Sequence, residues 1–67
     1  LTIERDGDIT FISAAPASDP NVLVNQATGS GGKIVLDDTG GTALNAGTGT
    51  INLTAGTAGI TNKLIHS

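Results

Sequence analysis

A five-residue pattern, Gly-x-Ile-x-(Phe/Leu), occurs three times in 67 residues and restricts this chain more than any other feature. The copies are Gly7-Asp8-Ile9-Thr10-Phe11, Gly32-Lys33-Ile34-Val35-Leu36 and Gly49-Thr50-Ile51-Asn52-Leu53, with their Ile positions 25 and 17 residues apart. In a β-strand residues i and i+2 share a face. Each copy therefore directs two large apolar side chains one way, and Thr10, Val35 or Asn52 the other. A second pattern, an apolar residue followed two positions later by Asn, alternates with the first: Leu23-Val24-Asn25, Ala43-Leu44-Asn45 and Ile60-Thr61-Asn62, at spacings of 20 and 17. Extending it backwards by 20 assigns residues 1–4 to the same strand of a preceding coil.

Two patterns alternating at a period of roughly 20 residues predict the rungs of a β-solenoid, with equivalent strands stacked in parallel about 4.8 Å apart. The fold expected is an all-β parallel β-helix of about three rungs, a single segment over residues 1–67. Its inner ladders are predicted to be Ile9-Ile34-Ile51 and Phe11-Leu36-Leu53. Asn25, Asn45 and Asn62 are predicted to stack at one corner, where amides can bond along the axis; the tolerance of Asn for turn geometry accounts for them equally well. Residues 28–32 and 37–41 read as Gly-rich corners, 46–48 as a tight one, and the Pro-containing stretch 14–20 as a protruding loop. The alternative is a small antiparallel β-sandwich or barrel. Against it, only Asp6-Gly7 offers a tight-hairpin dipeptide, and the patterns all run in the same direction.

Composition agrees with strands and turns. There are 10 Gly and 10 Thr, one aromatic (Phe11), and few of the residues that favour helices. The 17 large aliphatic and aromatic side chains are patterned and the net charge is only −3, which argues against disorder. Without cysteine there is no disulfide framework. Three basic residues, Arg5, Lys33 and Lys63, argue against a nucleic-acid partner. No apolar run is long enough for a membrane span, and no targeting segment is present. A core this small is marginal alone. The partners expected are therefore neighbouring rungs of a longer array, or copies of this chain.

Candidate chemistry is sparse. Asp6 and Asp8, with Glu4 beside them, place acidic oxygens at alternate positions and are the candidate Ca²⁺ ligands. They match neither the EF-hand loop nor the calcium nonapeptide, and a solvated turn is the simpler reading. Asp37-Asp38 reads as an acidic corner. A glycosidase would need a groove with aromatic or basic partners around its carboxylates, and a single Phe does not supply one. His66, the sole His, lacks the companions of a triad or a metal site. Residues 29–33 have some likeness to a phosphate loop but lack its Lys-(Ser/Thr) ending and lead into a strand. Asn52-Leu53-Thr54 is a glycosylation sequon, common by chance in a Thr-rich chain. The expectation is no catalytic residue, no cofactor and no enzyme activity.

The run GTALNAGTGTINLTAGTAGI, residues 41–60, resembles the repeats of filamentous-haemagglutinin-like exoproteins and related bacterial β-strand-repeat adhesins. The likeness covers residues 30–62 well and the first 25 loosely. It implies a right-handed parallel β-helix, secreted to the bacterial cell surface, acting as a structural stalk or adhesin toward a host-surface or matrix ligand. Two alternatives stand beside it: a self-assembling extracellular filament or surface-layer subunit, and a fragment of a carbohydrate-processing or phage-tail β-helix.

Overall fold

The computed structural model describes residues 1–62, and the expectations for Lys63 and His66 fall outside them. Eight short strands and no helix make up the described residues: β1 (Thr2–Glu4), β2 (Ile9–Ile12), β3 (Ala17–Ser18), β4 (Val22–Asn25), β5 (Lys33–Asp37), β6 (Leu44–Asn45), β7 (Ile51–Thr54) and β8 (Gly59–Asn62). All pairings are parallel and join strands from successive rungs. The sheets run β1-β4-β7, β2-β5-β8 and β3-β6. This is a small parallel β-helix with three sides and about three rungs. The antiparallel alternative is excluded.

The inward faces are set by strand alternation. Val22 and Val24 of β4 are buried while Leu23 and Asn25 point out, and Ile9 and Phe11 of β2 alternate with exposed Thr10 and Ile12. These side chains, with Ile34, Ala43 and Ala46, form one core closed between the three sheets. Ile3, Ala17, Leu36, Leu44 and Leu53 pack against it.

The register corrects several expectations. Ile9 pairs with Ile34 and Phe11 with Leu36, as the spacing predicts. The third member of the first ladder is Ile60, not Ile51, and the residue above Leu36 is Asn62, not Leu53. Ile51 and Leu53 belong to another side, above Val22 and Val24. The third Gly-x-Ile-x-Leu copy is thus an inward pair of β7, not of the sheet that holds the first two. Physically, an inward i, i+2 aliphatic pair is required on every long side, so the pattern marks a strand without telling which side it occupies.

The rung is also longer than roughly 20 residues. Ile9 to Ile34 is 25 residues, Ile3 to Val24 is 21, and Val24 to Leu53 is 29. The hidden length is a third side. Residues 14–20 do not simply protrude: they contain β3, whose Ala17 and Ser18 pair with Leu44 and Asn45. With two residues per strand and only Leu44 large among its four side chains, this side shows no i, i+2 aliphatic pair. The assignment of residues 1–4 to the side occupied by residues 23–25 holds, with Ile3 beside Val24.

Candidate functional site

The stacked Asn ladder does not form. Asn25 lies between Glu4 and Thr54, Asn45 pairs with Ser18, and Asn62 pairs with Leu36, so the three occupy three different sides. Asn45 instead caps its own corner, its Oδ1 accepting the Gly47 N–H at 2.7 Å. An axial amide does exist, at a residue the patterns did not single out. Gln26 continues the inward alternation Val22-x-Val24-x-Gln26 and is only 2 % exposed.

Its environment satisfies both ends of the amide. Nε2 donates to the Gly7 carbonyl at 2.8 Å and lies 3.4 Å from the Lys33 carbonyl, while Oε1 accepts the Gly56 N–H at 2.8 Å. A carbonyl can only accept and a backbone N–H can only donate, which determines the orientation of the amide. Gly7, Lys33 and Gly56 lie on the first, second and third rungs. One side chain therefore ties the same corner of all three rungs together. Buried polar groups must be paired, and no described buried side-chain nitrogen or oxygen is left without a partner.

Gly32 makes room for it, and Gly56 sits just as tightly against Ser30 at the same corner. A Cβ on Gly32 would meet the Asp6 carbonyl oxygen and stand 2.8 Å from Gln26 Nε2. A Cβ on Gly56 would collide with Ser30, whose carbonyl oxygen would be 2.6 Å away. The backbone approaches itself too closely at this corner for any other residue.

The same device, a side-chain oxygen on one rung accepting a backbone N–H on the next, recurs at this corner through Asp6 and Asp8 and at two other corners through Ser13 and Asn21. Asp6 Oδ1 accepts from Ala27 at 2.9 Å, Asp8 Oδ1 from Lys33 at 3.1 Å, Ser13 Oγ from Gly40 at 3.0 Å, and Asn21 Oδ1 from Thr50 at 3.2 Å. Thr57 Oγ1 reaches down to the Ser30 carbonyl at 3.0 Å. Corners break the strand ladder and leave N–H groups without a neighbour, so short polar side chains supply the acceptors. Asp37 and Asp38 act within their own turn, on Thr39 and Ala43.

Asp6 and Asp8, the candidate Ca²⁺ ligands, thus each have an oxygen bonded to the rung above. No three His, Cys, Asp or Glu side chains converge among the described residues. Two open clefts flank this region. One, about 360 Å³, is lined by Glu4, Arg5, Asp6, Asn25 and Ala27, and the other, about 390 Å³, by Ile3, Arg5, Asp8, Ile9 and Thr10. No helix of the described residues is long and apolar enough to cross a membrane. Asn52 of the sequon is exposed, on the outer face of β7.

Comparison with protein-family models, with curated proteins and with solved structures finds no match.

Proposed function

We propose that this chain is a structural segment of a bacterial surface stalk or adhesin, secreted and without catalytic activity. The observation that carries the reading is the use of its polar side chains. At one corner after another, Asp6, Asp8, Ser13, Asn21 and Gln26 bond to the backbone of a neighbouring rung instead of converging on a shared point in a cleft. A chain that commits its polar groups to stacking is suited to holding length and stiffness. The strand-repeat style of residues 41–60 supports an exported adhesin, and the outward faces of the sheets would carry any host-surface or matrix ligand.

The test has two parts. Tandem fusions of the chain, measured by small-angle X-ray scattering, should lengthen at constant cross-section by about 4.8 Å for each added rung. Protease treatment of intact producing cells should release the segment. Globular growth of the fusions, or protection from external protease, would remove the stalk reading.

A further inference from the structure

Four of the five aspartates have an oxygen bonded to a backbone N–H: Asp6 to Ala27, Asp8 to Lys33, Asp37 to Thr39 and Asp38 to Ala43. Asp19 accepts no backbone N–H among the described residues. Its side chain is 54 % exposed, and the charged group facing it is the Leu1 ammonium, at 3.8 Å. Asp19 is also the aspartate that precedes a proline. Asp19, Pro20 and Asn21 are exposed at the corner between β3 and β4. The Pro20 nitrogen carries no hydrogen and gives no bond to the next rung. The chain on either side is held: the Asp19 N–H donates to the Asn45 carbonyl at 3.0 Å, and the Val22 N–H to the Thr50 carbonyl at 2.8 Å.

We propose that the Asp19–Pro20 bond is a self-cleavage site, cut in acid by the Asp19 carboxyl itself, and that the stack holds the two pieces together afterwards. A side-chain oxygen of Asp19 adds to the Asp19 carbonyl carbon and closes a cyclic anhydride. The bond from that carbon to the Pro20 nitrogen breaks, and the nitrogen leaves as a secondary amine, carrying a proton in place of the bond. Water then opens the anhydride, restoring the side-chain carboxyl and leaving a new α-carboxyl on Asp19. The net change is hydrolysis of one peptide bond, once per chain. A nucleophile in the same residue acts at a high effective concentration, and the tertiary amide of proline supplies the better leaving nitrogen. The other four aspartates precede Gly7, Ile9, Asp38 and Thr39, which have ordinary N–H amides, and each has an oxygen already engaged. The cut separates β1, β2 and β3 from the strands they pair with, β4, β5 and β6, but breaks none of those pairings. Gln26 on Gly7, Ala27 on Asp6, Lys33 on Asp8 and Gly40 on Ser13 also cross between the pieces. Ile9 and Phe11 remain in one core with Val22, Val24 and Ile34.

The test is to hold the full chain in dilute acid without protease and return it to neutral pH. Mass spectrometry under denaturing conditions should then find two fragments, one ending at Asp19 and the other beginning at Pro20. On native size-exclusion chromatography the two should elute together, at the position of the uncut chain. Asp19→Asn removes the nucleophile but no backbone bond described for it, and should abolish the cut with the fold intact. Should that variant fail to fold, Asp19→Glu keeps the charge but must close a larger ring, and should be cut at least about 10-fold more slowly. An intact Asp19–Pro20 bond, equal cutting in Asp19→Asn, or equally fast cutting after Asp6, Asp8, Asp37 or Asp38 would each overturn the proposal. So would fragments that separate at neutral pH.

Discussion

Gln26 Oε1 accepts the Gly56 N–H at 2.8 Å, across the junction between the second and third rungs. The opposite end of the same amide holds Gly7 on the first rung. At this corner, where Asp6, Asp8 and Thr57 each join two neighbouring rungs, one neutral side chain spans all three, with a donor and an acceptor aimed in opposite directions along the axis.

Gln26→Ala removes all three side-chain bonds, those to the Gly7 and Lys33 carbonyls and that from the Gly56 N–H. The expected loss is about 2–4 kcal/mol, since buried unpaired groups cost about 1–3 kcal/mol each. In a domain this small that lowers the melting temperature by more than about 10 °C. Gln26→Glu keeps the acceptor for Gly56 but turns an oxygen on the Gly7 carbonyl, and should be at least as damaging near neutral pH. Thermal denaturation of both variants checks this; a Glu variant as stable as the parent contradicts the assigned bonds.

Gly31 and Gly32 are neighbours with opposite tolerance. A Cβ on Gly32 has no room against Asp6 and Gln26, whereas one on Gly31 meets nothing within 4 Å. Gly32→Ala should destabilise by about 1–3 kcal/mol or more, and Gly31→Ala should stay within about 0.5 kcal/mol of the parent. Urea unfolding of the pair measures the difference directly.

Position along a ladder should govern the effect of truncation. Ile34 is fully buried between Ile9 and Ile60, and Ile34→Ala should lose about 2–5 kcal/mol. Ile60→Ala removes the same atoms from a half-exposed site, so its loss should be less than half as large. These comparisons belong at concentrations below any self-association. Equal losses would mean that the third rung is as enclosed as the second.

Asn21 is the non-glycine residue with a left-handed backbone, at φ 57°, among those described. Its side chain also accepts the Thr50 N–H. Gly suits the backbone but lacks the acceptor, and Ala lacks both, so stability should fall in the order Asn21, Asn21→Gly, Asn21→Ala. The full span should be about 1–2 kcal/mol. Chemical denaturation midpoints test the order.

Removal of divalent metal should leave the fold unchanged, because Asp6 and Asp8 each bind a backbone N–H of the second rung. The melting temperature should be the same in excess chelator and in millimolar Ca²⁺. A rise of several degrees with Ca²⁺ would show instead that the free oxygens of this acidic corner hold the ion.

The strands themselves were legible because burial on one face imposes a period of two, which Ile9-x-Phe11, Ile34-x-Leu36 and Ile51-x-Leu53 display. The register was legible only where two consecutive copies share a side, as in Ile9 with Ile34. It failed at Ile51, since Val22-x-Val24 and Ile51-x-Leu53 meet the same inward requirement as the first motif on a different side. Gln26 could have been found, as a polar residue at the third inward position of Val22-x-Val24-x-Gln26. Its partners could not, because Gly7 and Gly56 are 19 and 30 residues away.

The amino-acid sequence alone therefore determined that the chain forms short, one-face-buried strands between Gly- and Asn-rich corners, because side-chain alternation and turn conformation are local properties. Only the tertiary structure decided the number of sides, the length of a rung, and which inward pair stands above which. Corner loops of different length absorb the offset between strands, and the weak third side of β3 and β6 takes its position from the backbone it pairs with. Register in a parallel stack is a property of the closed rung as a whole, so it emerges only when all three sides are in place.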